Sequence, residues 1–457
     1  MAPFLSNRET SILIPSKKEA FRFWFQLGWL SFGGPAGQIS LMHKTLVEEK
    51  KWISEEKFSH ALSYCMLLPG PEAQQLATYL GWILHGIRGG ILAGLFFILP
   101  SFFLFCGIGI FYFYYGQVPY AISFLNGVKP AVLAIILLAF SNLAKKRIQS
   151  NGQKFCFLLT FLGMLFFSIP YPYLLLSSLS LGILSFFTSK KNSESFSNSS
   201  ASIGTSSGSI DLQTKLDQKR EDSTLILKQI SKVGSIGLIL WVLPILGILL
   251  FHTSGFRFWE ELILFFTKTA LLTFGGAYAI LPTVADFAVA KFSWISNKEM
   301  LDGLSFGEST PGPLVMVLTF IGFLAGAHHY GNTIAGLFGL FITAYYTFLP
   351  SFVFILGGAG IVEKTKESQL LKHTLNYVTA CVCAVILYLG IYFAKSILFQ
   401  EGTAEFDFRN VTDHILWLPL LWTIVSLVFL KLKKEYSIFL IFFSGLFFLA
   451  ADTIFYL

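Results

Sequence analysis

Apolar runs of bilayer length, punctuated by short polar stretches, dominate the chain. Thirteen fall near residues 21–40, 59–84, 90–114, 119–141, 154–169, 171–188, 235–252, 259–285, 301–327, 332–360, 374–397, 415–430 and 437–456. A membrane-crossing helix needs about 20 predominantly apolar residues, so the pattern predicts an all-α polytopic membrane protein with about 13 transmembrane helices. One long polar segment, residues 189–232, interrupts the series. Its Ser-rich first half lacks the apolar residues to form a core and reads as a flexible linker.

Several runs carry helix breakers where a bilayer offers no water to repair the lost hydrogen bonds. These breakers repeat. "SFGGPAG" at 31–37 resembles "TFGGAYA" at 273–279, "WIS" at 52–54 recurs at 294–296, and "LPGP" at 68–71 matches "TPGP" at 310–313, all at an offset of 242. After an eight-residue insertion around "HHYGNT" the offset becomes 250: "PSF" at 100–102 matches 350–352, Gly107 matches Gly357, and Asn126 matches Asn376. Identities that keep register over this length indicate duplication. The two equivalent first spans, 21–40 and 259–285, are the first and the eighth of the series, seven places apart. That odd number predicts two oppositely oriented halves, the inverted-repeat pattern of secondary transporters with broken helices.

Lysine and arginine set the expected orientation. The loop "NLAKKRIQSNGQK" has four basic residues and no acid, which places it in the cytoplasm. Counting from it, the N-terminus, the linker with its seven basic residues, "EKTKESQLLKH" and "KLKKE" fall inside. The acidic "FQEGTAEFDFRNVTDH" falls outside. The loop "MHKTLVEEKKWISEEK" is placed outside despite its lysines.

Composition supports this reading and narrows it. The chain is 54% hydrophobic, 17% aromatic and 13% charged, against roughly 25% charged in soluble domains. The net charge of +7 sits in loops between apolar runs and implies no nucleic-acid partner. The five cysteines lie in apolar stretches without metal-site or disulfide spacing. The first twenty residues show no signal-peptide pattern. No Walker A motif, zinc motif or nucleophile elbow occurs, so neither ATP drive, a bound metal, a cofactor nor an enzymatic activity is expected.

The candidate chemistry lies at the breaks. Gly33 and Gly34, with Gly275 and Gly276, allow positive φ, and successive N–H groups there can form an anion-binding nest. Pro69, Gly70 and Pro71, with Pro311, Gly312 and Pro313, form the second break of each half. Pro71 and Pro313 are each placed to open a half-helix whose free N–H groups and positive dipole end favour an anion. Either break alone is also explained by close helix packing or a kink. Pro100 and Pro350 read as kinks. Glu72 and Glu308, carboxylates beside the Pro-Gly-Pro turns, are candidates for proton coupling; helix capping is an equal alternative for Glu72. Lys129 and Lys268 are candidate cations for the anion, with snorkelling as the alternative for each. His85 and Arg88, where the second run meets the third on the inside, read equally as loop residues or as a cytoplasmic gate, His328 and His329 read as surface residues, and Gly86, Gly90 and Gly94 as a packing stripe.

The paired "SFGGPAGQISLM…WIS…LLPGPEAQQLATYLGW" and "TFGGAYAILPTV…WIS…GESTPGPLVMVLTFIGFLAG" resemble the chromate ion transporter family in its long two-domain form. The resemblance covers the chain except the linker and the ends; Ala277, where proline follows the first glycine pair, departs from the pattern. It implies a multi-pass protein of the bacterial inner membrane that exports chromate, with sulfate as a competing analogue and the proton-motive force as driver. Domains are expected at 1–188 (first repeat), 189–258 (linker plus one connecting helix) and 259–457 (second repeat). Sulfate or other oxyanion uptake, a passive anion channel and an enzyme acting on lipid phosphates are the alternatives. The sequence is compatible with a homodimer without indicating one.

Overall fold

The structure, a computed structural model, describes residues 15–32, 34–194, 211–251, 255–362, 369–399, 415–433 and 436–455. Gly33 and the Ser-rich residues 195–210 lie outside these. Among the described residues the fold is helical, and an isolated antiparallel bridge between Phe399 and Ile415 is the extent of β pairing.

The first half contains α1 (Lys17–Leu30), α2 (Gly34–His43), α3 (Glu55–Cys65), α4 (Glu72–Tyr115), α5 (Pro119–Arg147), α6 (Asn151–Phe167) and α7 (Tyr171–Glu194). After α8 (Asp211–Phe251), the order repeats as α9 (Phe256–Leu272), α10 (Ala277–Ala285), α11 (Asn297–Ser309), α12 (Val317–Tyr330), α13 (Thr333–Val362), α14 (Gln369–Leu398), α15 (Trp417–Leu432) and α16 (Ser437–Phe455). Seven described helices are long and apolar enough to cross a bilayer, and 151–167, 314–330 and 417–432 are shorter apolar helices. The protein is therefore an all-α polytopic membrane protein.

Local structure follows the repeat closely. α2 and α10 each run into a π-helical turn, Lys44–Glu49 and Asp286–Lys291. Each turn leads to a residue at φ 51°, Lys51 or Ser293. The serine of each Trp-Ile-Ser motif then caps the next helix: Ser54 Oγ accepts from the Lys57 N–H and Ser296 Oγ from the Glu299 N–H. Such a cap satisfies an otherwise orphaned amide.

The runs at 21–40, 59–84, 259–285 and 301–327 are broken rather than continuous. With 14 and 10 residues, α1 and α2 measure about 21 and 15 Å, and neither alone crosses a hydrocarbon layer of about 30 Å. The boundary expected between the second and third runs is instead a kink inside α4, at His85 (φ −140°) and Gly86 (φ 63°). Gly86 thus makes the kink and leaves the packing stripe. Its neighbours in the motif do pack: a methyl on Gly90 would lie 2.9 Å from the Thr78 carbonyl, and one on Gly94 would meet the Thr78 hydroxyl. The second half of the polar segment, from Asp211, is the start of α8.

The two halves are interlocked. α5 of the first half packs against α15 and α16 of the second, while α14 of the second packs against α6 and α7 of the first. α5 and α14 also pack on each other, giving a six-helix bundle drawn equally from both repeats. Helices α1–α4 and α9–α13, with the breaks between them, form the other body, the broken-helix core, joined through α4 against α12 and α13. α11 against α5 and α10 against α14 connect the two bodies.

Candidate functional site

Both kinds of break meet where the repeats cross. α1 ends at Ser31 and α9 at Thr273, each with a side chain turned back on its own helix: Ser31 Oγ donates to the Leu27 carbonyl and Thr273 Oγ1 to the Thr269 carbonyl, both at 2.6 Å. Their main-chain carbonyls stay available to the opposite repeat. The Gly70 N–H donates to the Thr273 carbonyl at 2.6 Å, and the Gly312 N–H donates to the Ser31 carbonyl at 2.8 Å. Residues 70 and 312 are equivalent under the repeat, as are 31 and 273. A contact and its exchanged copy define a two-fold relation, as in an isologous interface.

Glycine is required at these turns. Gly70 has φ 130° and Gly312 φ 95°, conformations that L side chains rarely adopt. A methyl on Gly312 would lie 2.6 Å from Ser101 Cβ, and one on Gly70 would lie 2.6 Å from Gln75 Nε2 and meet the Ser351 hydroxyl. Ser101 and Ser351 belong to the two "PSF" motifs. Each wedges a small buried side chain against the Pro-Gly-Pro turn of the other repeat, a role the sequence alone did not suggest. Pro100 and Pro350 sit inside continuous helices α4 and α13.

The turns also start helices. Pro71 caps α4, with Glu72 as its first residue, and Pro313 caps a 3-10 turn, Leu314–Met316, that continues into α12. Pro69 is half-buried, while Pro71, Pro311 and Pro313 are buried. Gly276 (φ 95°) caps α10, and Gly34 (φ 67°) opens α2. These two N-termini face each other: a methyl on Gly34 would lie 3.7 Å from the Tyr278 hydroxyl, and one on Gly276 4.0 Å from Pro35 Cγ. Gly275 (φ 74°) approaches Val382 of α14, and the Tyr171 hydroxyl donates to the Phe274 carbonyl at 3.1 Å. Positive helix ends therefore converge from both repeats on one region, the arrangement that stabilises an anion.

The polar side chains around it are not symmetric. Glu308, buried, accepts a 2.6 Å hydrogen bond from the Tyr278 hydroxyl. Gln38 Nε2 donates to the Gly312 carbonyl at 2.5 Å, and Gln75 Nε2 donates to the Pro69 carbonyl at 2.7 Å. The repeat partners of Tyr278, Gln38 and Gln75 are Ala36, Ile280 and Val317. Glu72 is also buried, and Arg147 at the end of α5 is its electrostatic neighbour, with Nη2 4.0 Å from Met66 Sδ.

The two lysines fall elsewhere. Lys268 is exposed on the outer face of α9, so the structure does not bring it to the glycine turns. Lys129 is buried but already paired: its Nζ lies 2.9 Å from Asp302 Oδ1 and 3.1 Å from Asn126 Oδ1. Asp302 Oδ2 accepts a further bond from the Tyr112 hydroxyl at 2.7 Å. Asp302 lies inside the predicted run 301–327, and a scan for ionisable residues within apolar runs would have found it. Tyr278, Tyr112 and Gln38 carry no such signal. Among the described residues no cluster of three or more metal-ligating side chains occurs.

No solved structure matches the chain. It is similar to a probable chromate transport protein of Synechococcus elongatus, 29% identical over 371 residues, covering 81% of this chain and 83% of that protein. It is also similar to the chromate transport proteins of Cupriavidus metallidurans, 27% identical with 85% of each chain covered, and of Pseudomonas aeruginosa, 28% identical with 85% of this chain and 82% of that one covered. The chromate transporter family model matches residues 18–183 and 260–449, one match for each half around the glycine turns, and the protein belongs to that family.

Proposed function

We propose that this protein is a secondary transporter that exports chromate, a tetrahedral dianion, across the bacterial cytoplasmic membrane. The observation that carries the reading is the reciprocal clasp of Gly70 on Thr273 and Gly312 on Ser31, which holds the N-termini of four helical segments around one buried region. The dianion sits among the amides at Gly34, Gly276 and the residues after Pro71 and Pro313. The neighbouring Glu72 and Glu308 repel it when both are charged. Anion binding therefore goes with protonation of at least one of them, and Glu308 is the stronger candidate because the Tyr278 hydroxyl holds it beside the opening of α2.

The N-terminus and the linker lie in the cytoplasm, and the two repeats are inverted in the membrane. Outward movement is favoured by an inside-negative potential, about 2.3 kcal/mol per 100 mV for each negative charge, and exchange for protons adds to it. Alternating access is a motion between bodies. Because α5 and α14 are each gripped by helices of the other repeat, the moving bodies are the six-helix bundle and the broken-helix core rather than the two sequence halves.

The test is chromate flux into proteoliposomes holding the purified protein, with an imposed pH gradient, an imposed potential, and sulfate as competitor. Saturable flux that follows both gradients is the expected result. Sulfate flux without chromate flux would reassign the substrate, and unsaturable flux indifferent to the pH gradient would make the protein a channel.

A further inference from the structure

Away from the glycine turns, one charged group of the core faces one of the bundle. Asp302 on α11 is fully buried, with Lys129 of α5 at 2.9 Å from Oδ1 and the Tyr112 hydroxyl of α4 at 2.7 Å from Oδ2. Tyr112 and Asp302 belong to the same body, the broken-helix core, while Lys129 belongs to the bundle. The other titratable groups nearby are Glu299, one turn back on α11, and its partner His328 of α12, whose Nε2 lies 3.3 Å from Glu299 Oε1. The equivalents of Asp302, Lys129 and Tyr112 in the other repeat are His60, Thr379 and Val362, so the duplication does not rebuild the cluster. A small cavity borders Lys129, lined also by residues including Leu133, Leu301, Leu304, Ser305 and Phe393.

We infer that Asp302 is a proton-binding site that couples proton movement to the motion between the two bodies, with Lys129 as its alternating charge partner. A buried carboxylate separated from its counter-ion carries a desolvation penalty, which protonation removes. Sliding the bundle on the core takes Lys129 from Oδ1 but leaves the Tyr112 bond on Oδ2, because Tyr112 moves with Asp302. Oδ1 then takes a proton from the aqueous side open in that state, and Lys129 keeps Asn126 Oδ1, one turn back on its own helix, as acceptor. Return of Lys129 expels the proton to the other side. Nothing is consumed: one proton is bound and one released per cycle. In the separated state the pair has gained a net positive charge, which offsets part of the charge of a bound dianion. A pair with both members in one body would not sense the motion.

This inference rests on proton-linked chromate transport as proposed above. The experiment measures protons moved per chromate, using a pH dye trapped in proteoliposomes together with labelled chromate. The ratio does not depend on turnover rate, so a slow variant is still informative. The Lys129→Gln/Asp302→Asn double variant removes both charges, and its ratio is expected to fall by one proton. Lys129→Gln alone, the second variant should the double one not fold, leaves Asp302 protonated throughout and is expected to lose the same proton. An unchanged ratio in whichever variant is measured, with a coupled wild type, overturns the assignment of Asp302. A wild type that moves no protons overturns proton-linked transport itself, and this inference with it.

Discussion

The Gly312 N–H donates to the Ser31 carbonyl at 2.8 Å, joining residues far apart in sequence, and the exchanged bond from Gly70 to Thr273 measures 2.6 Å. Each bond ties a turn that opens a helix in one repeat to a carbonyl that closes a helix in the other. The breaks of one half are therefore satisfied by the other half. This answers the difficulty of placing irregular backbone in a membrane, where no water is at hand.

The glycine at each turn is under two constraints. Gly312→Ala is expected to cost about 1–3 kcal/mol for backbone strain alone, with more from the collision with Ser101. Gly107→Ala is the control: nothing lies within 4 Å of the added methyl, and the site is helical. It is expected to be neutral or to stabilise by up to about 1 kcal/mol. Thermal unfolding of the purified proteins in detergent separates the two.

Glu308→Gln keeps an oxygen that can accept from Tyr278 while removing a negative charge beside the anion region. One unit of such interaction is about 1.4 kcal/mol, so chromate is expected to bind on the order of tenfold more tightly at high pH, with a flatter pH dependence. Equilibrium binding measured across pH checks this. Unchanged affinity at every pH would place Glu308 outside the site.

The two lysines should behave oppositely. Lys268→Ala, on the exposed face of α9, is expected to leave stability and chromate affinity unaltered. Lys129→Ala strips the buried Asp302 of its counter-ion, a change that typically costs about 3–5 kcal/mol for as long as Asp302 stays ionised and less once it takes up a proton. A pair of unfolding curves and binding isotherms distinguishes them.

The helix openings can be tested through the prolines that cap them. Pro71→Ala with Pro313→Ala returns two amide donors and frees the backbone at both turns, at a stability cost expected to be about 1 kcal/mol. Chromate flux is expected to fall on the order of tenfold, the equivalent of about 1.4 kcal/mol lost from the precise placement of the amides. Unchanged flux in proteoliposomes would separate the half-helix ends from transport.

Much of the frame was legible in the sequence because its signals are local. Gly-Gly and Pro-Gly-Pro announce a break wherever they occur, and their fixed offset announced the duplication. The Trp-Ile-Ser caps and the paired π-helical turns follow from the same repeat. The contacts that join segments hundreds of residues apart were not legible. Nothing in "SFGESTPGP" points to Tyr278, and nothing in "NGVKPAV" points to Asp302. Lys129 and Lys268 looked alike as lone cations in apolar runs, yet burial and a partner separate them completely. The swap of α5 and α14 between the halves was equally invisible, since helical periodicity reports that a face is buried and not which helix buries it.

That exchange has a consequence for chain architecture. A polypeptide holding a single repeat would own a turn glycine and a helix-closing carbonyl that cannot bond to each other, and a fifth helix whose natural neighbours are missing. Its surfaces are self-complementary only toward a second chain related by the two-fold. Such a half-length protein must assemble in pairs, each chain lending its fifth helix to the other. In the present protein α8 and the polar segment before it tether the two halves. Tethering lets the halves diverge without losing their partner, and it is the reason one of them can hold Asp302 and Tyr278 while the other holds His60 and Ala36.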